Sequence, residues 1–127
     1  MPGGEPFAYA VVRVIPRVDR GESVNAGVVV FCRSRDYLAL RASVPAERLL
    51  ALDPAVDLEA IAGHLQALAL IAAGDPAGGP MASQPASARF HWLVAPTSTI
   101  VQPSEVHTGI LTDPGGTLDR LYQQLVS

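Results

Sequence analysis

The chain has 127 residues, 49% of them hydrophobic, a length and content that suit one ordinary domain with a real core rather than two independent ones. Its net charge is −3 and all nine basic side chains are arginine, which excludes chemistry that needs lysine, such as a Schiff base, a P-loop or a kinase phosphate-binding lysine. A single cysteine, Cys32, excludes an internal disulfide and a cysteine-rich zinc site, and fits a reducing compartment.

Phe7 to Ile15 reads as a strand, rich in aromatic and β-branched residues and ended by Pro16. Ala26 to Cys32 is a continuous apolar run, the pattern of a central strand buried on both faces. Tyr37 to Ala42 is a third strand, joined to the second by a hairpin connection of suitable length at Arg33-Ser-Arg-Asp36. A short helix opens at Pro45 and runs to about Leu52. Asp53-Pro54 opens a longer one, in which Leu58, Ile61, Leu65, Leu68 and Ala72 recur at helical spacing and Gly74 closes the C-terminus. Residues 74–87, with three prolines and three glycines, read as a flexible connector. Arg89 to Ala95 is predicted as a fourth strand and Thr99 to Val101 as a short fifth. Leu118, Leu121, Tyr122 and Leu125 mark an amphipathic final helix.

These elements predict one α+β domain over residues 1–127: two layers, a mainly antiparallel sheet of four to five strands with helices on one face. Strand parity places Ala8, Ala10, Val12 and Val14 on the helix side, with Leu38, Leu40 and Ala42 and with Phe90, Trp92 and Val94. The alternate positions, Tyr9, Arg13, Tyr37, Arg41, Arg89 and His91, are then expected on the open face. Phe90 and Trp92 are expected in the core.

Charge is unevenly spread. Between Arg13 and Arg41 six arginines face Asp19, Glu22 and Asp36, a balance of +3 that leaves −6 for the remainder. An acidic chain argues against a general nucleic-acid surface, whereas a local anion site is compatible with it. The opening Met-Pro-Gly-Gly-Glu-Pro has no basic stretch followed by an apolar run, and no apolar run reaches the roughly 18 residues of a membrane span. A cytoplasmic protein is therefore the expectation.

The densest polar segment is Ser98 to Thr108, where Ser98, Thr99, Gln102, Ser104, His107 and Thr108 supply hydroxyl, amide and imidazole groups within eleven residues. With Arg13, Arg20, Arg41, Arg89 and His91 they form the predicted ligand or partner site. Glu22, Asn25 and Gly27 are predicted to shape the loop between the first two strands. A hydrolase triad built on Ser98 or Ser104, His107 and Asp113 lacks the Gly-x-Ser-x-Gly elbow. His64, His91 and His107 are too scattered for a metal site, so no metal and no cofactor is expected.

The strings Tyr9-x-x-x-Arg13-x-x-Pro16-x-x-x-Arg20-Gly-Glu-x-x-Asn25-x-Gly27-Val28, Arg89-Phe-x-Trp-Leu-Val-Ala-Pro96-x-Ser98-Thr99-x-x-Gln102 and Val106-His107-Thr-Gly109 resemble those of a bacterial family of domains of unknown function, family 3037. The resemblance spans essentially the whole chain. It implies no established biochemical activity; an association of such genes with HipA-like kinases implies a partner or regulatory role.

The reading that results is a non-catalytic binding or regulatory module that recognises an anionic group or a protein partner, with a HipA-like kinase or a second copy of the chain as candidate partners. The alternative is an enzyme acting on a phosphorylated or nucleotide-like small molecule, with His107 or His91 as acid/base.

Overall fold

The computed structural model describes residues 4–127. Five strands, β1 (Glu5–Val14), β2 (Val24–Cys32), β3 (Tyr37–Ala42), β4 (Val101–Pro103) and β5 (His107–Leu111), form one antiparallel sheet. Four helices accompany them: α1 (Ala46–Leu52), α2 (Leu58–Ala73), α3 (Ala86–Leu93) and α4 (Pro114–Leu125). The class is α+β, as the sequence predicts.

The sheet order is β3-β2-β1-β4, and β5 also pairs with β1. β4 takes Val12 to Val14 and β5 takes Glu5 to Tyr9, so these two strands lie end to end along one edge of β1. Between β1 and β2 the register slips once, with Val12 opposite Gly27 and Arg13 opposite Asn25, leaving Ala26 as the extra residue of a bulge.

The helices do not share one face. Val29 and Phe31 of β2 pack with Ile71, Ala72, Phe90 and Leu93 of α2 and α3. Val28, Val30 and Cys32, the intervening residues, pack with Leu118, Leu121 and Tyr122 of α4. α4 therefore covers part of the face predicted to be open. The physical reason lies in β2 itself: its continuous apolar run offers hydrophobic side chains in both directions, and both sets have to leave water. Arg41 holds α4 from β3, its guanidinium 4.2 Å from the Tyr122 ring centroid and 3.0 Å from Asp119 Oδ1.

Residues 86–93 are helix α3, not the predicted fourth strand. The aromatic and β-branched run favours a strand locally, but Ala86, Phe90 and Leu93 fall at i, i+4 and i+7 and meet the sheet together. Trp92 is consequently 47% exposed instead of buried, whereas Phe90 stacks on Phe31 at 5.0 Å. The short strand expected at 99–101 begins instead at Val101, and β5 follows where no strand was predicted.

The 74–87 segment holds two 3-10 turns, Pro76–Gly78 and Pro80–Ser83, and Ala82 within it is buried. Asp75 Oδ1 accepts the Ala77 N–H to open the first turn. Gly74 adopts the left-handed conformation (φ 70°) that ends α2, its N–H and that of Asp75 closing on Ile71 O and Leu70 O. No described helix is long and apolar enough to cross a membrane.

Candidate functional site

β1 organises the predicted site residues. Tyr9, Val11 and Arg13 alternate with Ala8, Ala10 and Val12, and the first set faces the α4 side of the sheet. Tyr9 is the register partner of His107 and Arg13 that of Gln102. Because α4 packs mainly on β2 and β3, the β1 strip with β4 and β5 keeps Tyr9, Arg13 and Gln102 half-buried and His107 exposed.

The strip has two polar rows. In the first, the Tyr9 and His107 rings lie 5.2 Å apart, and His107 Nε2 is 3.4 Å from Glu105 Oε1. In the second, Arg13 stands beside Gln102, whose Nε2 donates to Thr99 O at 2.7 Å. Arg17, Arg20, Arg35 and Arg41 each have a carboxylate partner, Asp19, Glu22, Glu5 and Asp119 respectively. Arg13 has none within ion-pair distance among the described residues.

The remaining predicted site residues serve elsewhere. Arg41 is on the same face but is engaged by α4. Arg89 and His91 sit on α3, on the other side of the sheet, and do not converge with Arg13 and His107 as predicted, because the strand that would have carried them is a helix. The Arg89 guanidinium donates to Ile71 O (3.1 Å) and Ala72 O (2.7 Å) at the C-terminal end of α2 and to Gln84 O (2.8 Å) in the segment before α3, tying the two together. His91 Nδ1 lies 3.1 Å from Ser87 O on its own helix. Ser104 is buried and bonded to the β1 backbone. Ser98 and Thr99 lie on the exposed loop before β4, where Thr99 Oγ1 donates to Val101 O at 2.7 Å.

Of the three residues predicted to shape the first loop, only Glu22 lies in it, paired with Arg20 at 2.8 Å. Asn25 and Gly27 belong to β2. The Asn25 amide donates to Leu125 O at the end of α4 (2.9 Å), and Gly27 lets β3 approach so closely that a Cβ there would sit 2.8 Å from Arg41 O. Glycine and asparagine are turn residues by statistics, but close strand packing and a helix-end contact use them equally well.

Two features escaped the sequence reading. Glu105 supplies a carboxylate next to His107, visible only as a spacing of two on a chain not expected to form a strand. A cleft of about 310 Å³ lies between α2, the end of α3 and the loop before β4, with Trp92 and His64 among its walls. No group of three His, Cys, Asp or Glu side chains placed to hold a metal occurs among the described residues.

No curated protein and no solved structure matches the chain significantly. A family pattern matches residues 9–126, nearly the whole chain, and the chain belongs to that family, described as proteins of unknown function (DUF3037).

Proposed function

We propose that the protein is a non-catalytic binding module that recognises an acidic or phosphorylated partner through the β1 strip of Tyr9, Arg13, Gln102 and His107. The observation that carries this reading is the uncompensated charge of Arg13. Arg13 is half-buried as a residue and its guanidinium has no carboxylate partner among the described residues, so an incoming anion does not have to displace an existing ion pair there, as it would at Arg20 or Arg41. Tyr9 and His107 add aromatic surface and hydrogen-bonding groups beside it, a composition enriched at protein interfaces.

A HipA-like kinase, the partner implied by the family resemblance, would supply such acidic or phosphorylated groups, and a second copy of the chain is the competing occupant. The buried, unpaired Cys32 fits work in the cytoplasm. Affinity capture from native cells tests the reading with three baits. Wild type and Arg20→Ala are expected to retain the same stoichiometric partner, and Arg13→Ala to lose at least about tenfold of it, the cost of about 1.4 kcal/mol in a charge-assisted contact. Equal recovery by Arg13→Ala would sink the proposal.

One observation favours a second reading. Glu105 beside His107 gives an imidazole with an orienting carboxylate, an arrangement suited to acid/base work on a phosphorylated small molecule. A phosphatase and phosphodiesterase substrate screen decides it: turnover abolished by both His107→Ala and Glu105→Gln, and kept by His91→Ala, would put the enzyme first.

A further inference from the structure

The cleft between α2, α3 and the loop before β4 lies on the sheet face that carries α2, and Gln102 of the β1 strip is also among its lining residues. Its floor is aliphatic, made by Val12, Leu40, Leu68 and Leu93, and Trp92 forms one wall with 47% of its surface exposed. A large indole left half in water beside an aliphatic hollow is unfavourable on its own, and cover over it removes that apolar area from solvent.

The loop that closes the other side is internally tied. Thr99 Oγ1 donates to Val101 O and Gln102 Nε2 donates to Thr99 O, both at 2.7 Å, so hydrogen bonds within the loop fix this wall of the cleft. Its lining contains no carboxylate and no guanidinium, and His64 is the one ionisable side chain there. A charged ligand would give up hydration without an opposite charge to meet it. The volume, about 310 Å³, lies at the small end of ligand pockets, enough for one or two rings.

From these features we infer that the cleft binds an uncharged, planar heteroaromatic compound of one or two rings, lying against Trp92, with a polar edge towards His64. Flatness follows from the aromatic wall, lack of charge from the lining, and the polar edge from the imidazole at the rim. The cleft shares Gln102 with the proposed Arg13 surface, but its probes and variants leave Tyr9, Arg13 and His107 untouched, so either proposal can fail without the other.

Trp92 is the only tryptophan of the chain, and its indole N–H gives one unambiguous signal in a two-dimensional nitrogen–proton spectrum. The probes are adenine and indole, with cyclohexanol as a non-planar apolar control. The expected result is a saturable shift of the Trp92 signal with adenine or indole, and at least tenfold weaker response to cyclohexanol. Ala95→Phe, at an exposed position on the cleft wall, is expected to abolish the shift without changing the melting temperature. Trp92→Leu, followed by saturation transfer to the probe, serves as the second variant and is expected to weaken binding at least tenfold. Absence of a saturable shift with both rings, an equal response to cyclohexanol, or undiminished binding in a folded Ala95→Phe or Trp92→Leu protein would overturn the assignment.

Discussion

Ser104 and Val11 exchange two hydrogen bonds: the Ser104 N–H donates to Val11 O at 2.8 Å and the Val11 N–H donates to Ser104 Oγ at 2.9 Å. The pair sits at the gap where β4 has ended and β5 has not begun, so a side chain stands in for the missing strand partner. Ser104 also donates to Glu105 O at 2.8 Å, which holds the kink between the two short strands. A polar residue that composition places among ligand contacts is here a piece of sheet.

Ser104→Ala leaves the buried Val11 N–H without an acceptor, which costs about 1–3 kcal/mol. Urea denaturation is expected to give a lower midpoint with an unchanged slope, and amide exchange at Val11 is expected to quicken. Wild-type stability in Ser104→Ala would mean that the hydroxyl is dispensable to the fold.

Arg89 fills three carbonyls with one planar fork, so neither alanine nor lysine reproduces it. Both substitutions are expected to lower stability, by about 1–3 kcal/mol for alanine, and to leave partner capture through Arg13 intact. Loss of capture at unchanged stability would place Arg89 in a binding surface after all.

Gly27 is needed for approach rather than for turning. In Gly27→Ala the new methyl would meet Arg41 O and the Ala42 Cβ, each at 2.8 Å, forcing β2 and β3 apart. Overpacking of this kind costs about 1–3 kcal/mol, and a thermal melt reads it directly. Gly21, which has a positive φ of 74° but open space around it, is expected to lose less on mutation to asparagine.

Two groups set opposite limits of pH. The Ser34 hydroxyl first, and then the Arg35 guanidinium, hold the Glu5 carboxyl below its ordinary value of 4.5. A depressed folded value means that the contribution is present above the unfolded pKa and is lost as pH falls through the folded one. Glu5→Gln is therefore expected to flatten the stability profile below about pH 4.5, modestly, since the Glu5–Arg35 pair is accessible to solvent and screened by salt. Burial first, then the charges of Asp119 and Asp113, push the Tyr37 phenol above 10.0. Its neutral form is favoured by folding, so this contribution is present below pH 10 and is lost as pH rises through the folded value; Tyr37→Phe is expected to remove that alkaline limb. Denaturation midpoints measured across pH decide both.

The first three strands were legible because alternation and apolar runs have short periods that local sequence states outright. Parity also correctly put Tyr9, Arg13, Tyr37 and Arg41 on one face. It could not say which helix covers that face, although β2, apolar on both sides, already called for cover on both. Residues 89–95 misled through their strand-like composition, while the wider period of Ala86, Phe90 and Leu93 carried the helix. At the site, side-chain type indicated hydrogen-bonding capacity but not its destination. Ser104 and Arg89 spend theirs on backbone carbonyls and amides brought near only by the tertiary fold, whereas Arg13, half-buried on β1, has no carboxylate partner among the described residues.

The central claim is that Arg13 and its neighbours on β1 form the recognition surface, and a hydrogen-exchange footprint of the captured complex tests it most directly. The account expects added protection at Tyr9 to Arg13 and at residues 102–108, weakened together by Arg13→Ala. Protection confined to α2 and α3, or to the β3 edge, with the β1 strip unchanged, would contradict it.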